Sequence, residues 1–197
     1  MATIALFDFD GTLTRNDSLT AFLKFYAGTR NYYWGIIILS PIIAGYKLNW
    51  IKNDVAKSLV LKYFLEGKTI EELEKKSEQF VSEIIPTLLR PEAIEKFNWH
   101  QQQGHRIIVV SASPELWIKP WCQEKNVECI ATKLATEKQL FTGEFLTPNC
   151  YGKEKLRRIL LHIPQLLNQY SEIYVYGDSQ GDKELLSLAT HPFYRTF

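Results

Sequence analysis

Two aspartates close a short apolar run in LFDFDGTLT, residues 6–14. In an extended strand, residues i and i+2 share a face, so Asp8 and Asp10 would present two carboxylates side by side. Such a pair repels itself and is costly to desolvate. A bound divalent cation offsets that cost. The two groups can also divide labour: one attacks as a nucleophile, and the other, with a raised pKa, gives and takes a proton. Gly11 and Thr12 follow in what reads as a tight turn, whose backbone N–H groups suit phosphate oxygens. Ser111 and Ser113 close a second apolar run, Ile107–Val110. Asp178 and Asp182 follow a third, IYVYG, and a loop carrying Lys153 opens a helix. Hard oxygen ligands suit Mg²⁺, while a lysine and a hydroxyl suit a transferring phosphoryl group.

The elements that position these groups alternate. Thr3–Phe7, Ile107–Val110, Val127–Ala131 and Ile173–Tyr176 have the composition of buried strands. Between them, Thr69 and Glu72 form a capping box that opens a helix to about Glu83. Pro91–Gln103 reads as a helix closed by Gly104, and Ser113-Pro114-Glu115 as a helix start. A helix from Lys153 is ended or kinked by Pro164, and Asp182–Ala189 reads as the last helix. Gln139–Phe145 suggests a small hairpin around Thr142-Gly143. Strand–helix alternation predicts an α/β fold with a Rossmann-like, three-layer parallel-sheet core. Such sheets bind ligands at the carboxyl ends of their strands, where all the groups above fall. Residues 16–89 carry helical patterning and no clear strand. The expected organisation is therefore a core of residues 1–15 and 90–197 with residues 16–89 inserted as a helical unit.

These motifs, in this order, resemble those of the haloacid dehalogenase superfamily, subfamily IB, in the branch similar to phosphoserine phosphatase. Asp8-Phe-Asp10-Gly11-Thr12 resembles the first motif, Ser111 the second, Lys153 in YGKEK the third, and Gly177-Asp178-Ser-Gln-Gly-Asp182 the fourth. The resemblance spans nearly the whole chain. It implies Mg²⁺-dependent hydrolysis of a phosphate monoester through an aspartyl-phosphate, with residues 16–89 as a cap of the C1 type. Asp8 would be nucleophile and metal ligand. Asp10 would be the acid/base, with its main-chain carbonyl on the metal, and Asp178 would be the third protein ligand. Asp182 would support the metal site. Gly11, Thr12, Ser111 and Lys153 would hold the phosphate. Lys155 competes for the lysine role, although the spacing of YGKEKLRRI favours Lys153. Asp17 stands where phosphoserine phosphatases carry a glutamate for the substrate amine. The arginine that clamps the substrate carboxylate in those enzymes has no counterpart between Arg30 and Arg90, so a lysine such as Lys62 would have to substitute. Asp10 sets the chain apart from dehalogenases, which need no such second acid.

Composition narrows the field. A net charge of +1 over 197 residues gives no basic stripe for nucleic acid. Cys122, Cys129 and Cys150 form no CxxC pair and read as reduced thiols in a cytoplasmic protein. The first strand pattern begins at Thr3, leaving no visible signal peptide. The four histidines show no metal-ligand spacing and read as surface or boundary residues, while Trp117 and Trp121 share a helix face packed on the sheet. The uncharged run NYYWGIIILSPIIAGY, residues 31–46, is shorter than the roughly 20 residues of a spanning helix, and Pro41 interrupts it. Its flanking aromatics resemble a membrane-interface pattern. Three readings stay open for it: core of the cap, dimer contact, or a membrane or lipid surface. The last would place the protein peripherally on the inner face of the membrane and make a lipid-phosphate phosphatase of the phosphatidylglycerophosphatase type the alternative. A third class is a catalytically weak phosphate-binding or docking module. A small phosphorylated substrate is the expected partner, and the sequence sets no oligomeric state.

Overall fold

The computed structural model describes residues 2–197. The chain opens with strand β1 (Thr3–Phe7). Six helices follow: α1 (Ser18–Ala27), α2 (Thr29–Ile38), α3 (Ser40–Lys47), α4 (Asn53–Leu65), α5 (Ile70–Glu83) and the short α6 (Ile85–Leu88). Then come α7 (Pro91–Gln102), β2 (Arg106–Pro114), α8 (Glu115–Glu124) and β3 (Glu128–Thr132). A hairpin of β4 (Leu134–Glu137) and β5 (Leu140–Phe145) leads to α9 (Lys153–His162), α10 (Leu166–Gln169) and β6 (Glu172–Gly177). A 3₁₀ turn at Gln180–Asp182, α11 (Lys183–Leu186) and β7 (His191–Tyr194) complete it.

Five strands form one parallel sheet in the order β3-β2-β1-β6-β7. β1 lies in the middle, so the Asp8–Asp10 segment emerges centrally among the strand ends. Alternation along the strands divides the core. Ala5, Phe7, Ile107, Val109 and Tyr176 pack with α7, α8 and the helical insertion, whereas Ile4, Leu6, Ile108, Val110, Ile173 and Val175 pack with Ile159, Leu166 and Leu185 on the other side. Trp117 and Trp121 are buried on the first side, as their shared helix face predicts. So is His100, which is wholly buried rather than superficial. Its ring bonds to His105 Nδ1 at 2.8 Å and to the Tyr176 hydroxyl at 2.9 Å, which satisfies it inside an aromatic layer.

The helical insertion is attached by a pair of antiparallel segments. Arg15 N donates to Leu88 O at 2.8 Å and Arg90 N to Leu13 O at 2.9 Å, so the chain leaves and rejoins the sheet side by side. Phe22 of the insertion stacks on Trp117 of α8, and Phe80 of the insertion meets both rings edge-on. The hairpin differs from expectation. Its turn is Lys138-Gln139, both at positive φ, as a two-residue hairpin turn of type I′ requires. Gly143 lies within β5, where a Cβ would meet the Lys62 backbone at 2.4 Å. The hairpin thus leans on the insertion: Gly67 N donates to Phe141 O, Phe141 N to Lys68 O and Ile70 N to Gln139 O. The final helix is also shorter than Asp182–Ala189, because Ser179 caps the 3₁₀ turn before α11 begins.

Residues 31–46 are neither wholly core nor wholly surface. Tyr32, Gly35, Leu39 and Gly45 point inward and are buried. Tyr33, Trp34, Ile37, Ile38 and Tyr46 point outward and are exposed.

Candidate active site

The groups singled out in the sequence converge at the carboxyl ends of β1, β2 and β6. Asp8 follows β1 and is buried. Its backbone N–H donates to Tyr176 O at 2.9 Å, which sets it against the β6 rim. Asp178, just past β6, approaches so closely that a Cβ on Gly11 would lie 2.3 Å from Asp178 Oδ2. Gly11 also sits at φ +83°, in the left-handed region that L side chains avoid. Two independent constraints therefore select glycine there. Thr12 Oγ1 donates to Asp8 Oδ2 at 3.4 Å.

The two candidate lysines lie in different places. Lys153 begins α9 and is exposed, whereas Lys155 is buried with its ammonium on Asp8 Oδ1 and, at 2.6 Å, on Asp182 Oδ1. Residues two apart on a helix point about 200° apart, so only one of the two can face the strand ends. Gly152 N donates to Gly181 O, docking the start of α9 on the fourth-motif loop and setting that phase. Asp182 is saturated. Besides Lys155 it accepts from Asp178 N, Ser179 N and Ser179 Oγ at 2.7–3.2 Å.

Electrostatics separates the carboxylates. Burial pushes Asp8 up to about 7 against the pull of Lys155. Burial would raise Asp182 too, but the Lys155 ammonium and the Ser179 bonds hold it below its ordinary value. Lys155 stays charged despite burial because two carboxylates face it. Asp178 is raised by burial and by Asp182, and its Oδ1 is buried with no hydrogen-bond partner. Such an orphan costs roughly 1–3 kcal/mol. Oxygens of Asp8, Asp178 and Asp182 lie within 4.8 Å of one another. An unpaired carboxylate oxygen inside a hard-oxygen cluster fits a divalent cation, held by Asp8 and Asp178, with Asp182 already committed to Lys155 and the loop.

Asp10 occupies a different environment. It accepts from Ser18 N at 2.7 Å through Oδ1 and from Ser113 Oγ through Oδ2. Ser18 Oγ lies 3.3 Å from Ser113 Oγ and accepts from Trp117 Nε1 at 3.0 Å. Burial raises the Asp10 pKa, and the nearby Asp17 charge adds to this, while the Ser113 and Ser18 bonds oppose it. Asp10 is thus clamped by the first turn of α1, by β2 and by α8. Sequence reading missed Ser18 and Trp117 and gave Ser113 no role. The signal available was the helix start Asn16-Asp17-Ser18, since a helix N-terminus favours a carboxylate. Ser111 is fully buried and its Oγ accepts from Ser113 N at 3.0 Å.

Two further residues stand above Asp10. Asp17 caps α1 by accepting from Thr20 N at 2.7 Å and is otherwise exposed. Lys57 of α4 reaches Ala112 O at 2.9 Å. Burial lowers its pKa, with Asp10 and Asp17 resisting. Lys62 instead points outward and pairs with Glu66 at 3.4 Å, so Lys57 is the insertion's cation at the site. Lys57, Asp17 and Asn53 share a cavity of about 430 Å³ whose other walls are mostly apolar, including Leu23, Ile36 and Ile43.

A family model for haloacid dehalogenase-like hydrolases matches residues 5–187. The chain belongs to this family. It is 32% identical to Protein CicA of Caulobacter vibrioides, over 98% of this chain and 86% of that protein. It is 26% identical to phosphoserine phosphatase SerB1 of Mycobacterium tuberculosis, over 95% of this chain and 63% of that protein. A crystal structure of a protein of unknown function from Bordetella pertussis superposes with a TM-score of 0.84 at 23% identity. It covers 96% of this chain and 88% of that one, and shares the fold. Within the haloacid dehalogenase family its relatives include proteins named as phosphatases.

Proposed function

We propose that this hydrolase is Mg²⁺-dependent and cleaves a phosphorylated small molecule through an aspartyl-phosphate on Asp8. The observation that carries this reading is the buried Asp8–Lys155–Asp182 array beside the unpaired Asp178 oxygen. When bound by Asp8, Asp178 and the Asp10 main-chain carbonyl, Mg²⁺ supplies charge stabilisation to the transferring phosphoryl group. Asp8 attacks phosphorus, and the P–O bond to the leaving group breaks. Asp10 protonates the departing oxygen. It then takes a proton from the water that attacks the acyl phosphate, releasing phosphate and restoring Asp8. Lys155, Ser111, Thr12 and the Gly11–Thr12 backbone hold the phosphoryl oxygens. Residues 16–89 act as the cap, excluding water and contacting the leaving group.

The test is single-turnover hydrolysis of p-nitrophenyl phosphate with Mg²⁺, with acid trapping of labelled protein. Wild type should accumulate an acid-stable, hydroxylamine-labile phosphoprotein, and Asp8→Asn should form none. Turnover unaffected by Asp8→Asn would overturn the assignment. Phosphate binding with no turnover in wild type would favour the docking-module reading.

A second reading concerns the leaving group. The cavity lined by Asp17 and Lys57 carries one cation, Lys57, among largely apolar walls, which favours a lipid phosphate over phosphoserine. Asp17 already spends one oxygen on Thr20, and a lysine cannot make the two-pronged arginine clamp on a carboxylate. Comparing kcat/KM for a short-chain lipid phosphate and for phosphoserine decides it. A ~100-fold preference, about 2.7 kcal/mol of differential transition-state binding, would assign the class.

A further inference from the structure

Ten of the seventeen exposed large apolar side chains among the described residues lie between positions 33 and 63, about a sixth of the chain. They are therefore concentrated rather than scattered, and concentrated apolar surface marks an interaction site. The strongest part is α2 and the segment after it. Tyr33, Trp34, Ile37 and Ile38 form one outward stripe at helical spacing, with Trp34 64% and Ile37 62% exposed. Beyond α3, Leu48 and Trp50 continue it, and Trp50 is 81% exposed. Together with the inward Tyr32, Gly35 and Leu39, these residues leave α2 apolar on nearly all sides. A helix of that kind is normally covered on every face.

Charge says what covers it. No acidic residue occurs between Asp17 and Asp54, whereas Lys24, Arg30, Lys47 and Lys52 all lie in that interval. All four are exposed and frame the apolar stripe in sequence. These four cations stand out in a chain of net charge +1. Interfacial tryptophans and tyrosines with flanking cations match the headgroup region of an anionic bilayer. The helices here are ten and eight residues long, roughly 15 and 12 Å against a hydrocarbon core of about 30 Å. Among the described residues no helix is long and apolar enough to cross a membrane. The face therefore suits lying on a bilayer and not spanning one. Ile36, Ile43 and Tyr46, on the same two helices, line the cavity that reaches Lys57. Tyr46 is also 41% exposed, so it stands at the junction of cavity and stripe.

We propose that the outward face of α2, α3 and the following segment to Trp50 docks on the headgroup region of an anionic phospholipid bilayer. Docking would turn the cavity toward the lipid surface. It is read without catalysis, so it stands or falls apart from the hydrolytic mechanism.

The experiment is co-sedimentation of the full chain with vesicles of phosphatidylglycerol and phosphatidylcholine, and with phosphatidylcholine alone. It is done with wild type, the Asp8→Asn variant, and a triple Trp34→Asn, Ile37→Asn, Trp50→Asn variant. Wild type and Asp8→Asn should partition at least tenfold more strongly onto the anionic vesicles, less so at high salt. The triple variant should lose that binding while hydrolysing p-nitrophenyl phosphate at the wild-type rate with an unchanged circular dichroism spectrum. Absence of wild-type binding to either vesicle would overturn the proposal, as would undiminished binding by the triple variant. A dimer in sedimentation equilibrium that the same substitutions dissociate, with no vesicle binding, would overturn it in favour of a second copy of this chain as the occupant.

Discussion

The floor of the candidate site and the outer side of the helical insertion follow opposite rules. At the strand ends almost every buried polar group is answered: Lys155 by two carboxylates, Asp182 by four donors, Asp10 by a backbone amide and a serine. On the outer side of α2 large apolar groups stay half or more exposed. The first region is preorganised and should tolerate no loss. The second contributes little to the fold, so its residues can change without structural cost. The unpaired Asp178 oxygen is the informative exception on the inner side, because a bound cation is what would answer it.

The harshest way to break this contrast is Asp8→Asn, expected to lower kcat on the order of 10⁴-fold or more, as removal of a nucleophile does, measured by steady-state phosphate release. Lys155→Met strands two buried carboxylates and should destabilise by about 3–5 kcal/mol in urea unfolding. Lys153→Met should leave both stability and turnover near wild type. Equal effects of the two lysine substitutions would refute the assignment to Lys155. Ser113→Ala removes one bond to a charged carboxylate, worth about 1.5–3 kcal/mol, and should lower kcat roughly 10–100-fold with KM little changed.

A gentler probe lies beneath the sheet. Burial, then His105 and Lys96, lower His100 to about 3, below an unfolded value of about 6.5. The unfolded chain therefore takes up the proton first. The stability from neutral His100 is complete above pH 6.5 and declines as pH falls toward 3, by up to about 1.4 kcal/mol per pH unit. Urea midpoints of wild type and His100→Asn should converge over that interval, and parallel pH profiles would refute the burial argument. Smallest of all, Trp34→Asn and Ile37→Asn should each shift stability by no more than about 0.5 kcal/mol. A larger loss would mean that this face packs on protein after all.

Much of the inner region was legible because its signals are local. Asp8, Asp10, Gly11 and Thr12 sit in five consecutive residues, and the strand before them has a plain apolar pattern. Ser111, Asp178 and Asp182 follow similar runs. The choice between Lys153 and Lys155 was not legible because a shift of two residues in helix phase reverses the face, and the phase depends on a backbone bond from Gly152 to Gly181. The clamp on Asp10 joins Ser18 to Ser113 and Trp117, 95 and 99 positions away, a separation no short pattern encodes. His100 looked ordinary because its partners, His105 and Tyr176, come from other elements. The outer face of α2 was ambiguous for a different reason. A helix apolar all round has no periodicity to say which side is covered.

The backbone bonds between the β4–β5 hairpin and the α4–α5 junction bear on how the site is vented. The insertion is fastened at the paired segments near Leu13 and Leu88, at the hairpin, and by Asn149 on Asn53 and Lys57 on Ala112. A body pinned at several places does not swing as a free lid; it slides by small packed adjustments. Under the proposed phosphatase reading, the leaving group would have to pass the insertion without its swinging open. Amide exchange at Gly67, Ile70 and Phe141 should stay as slow during turnover as at rest.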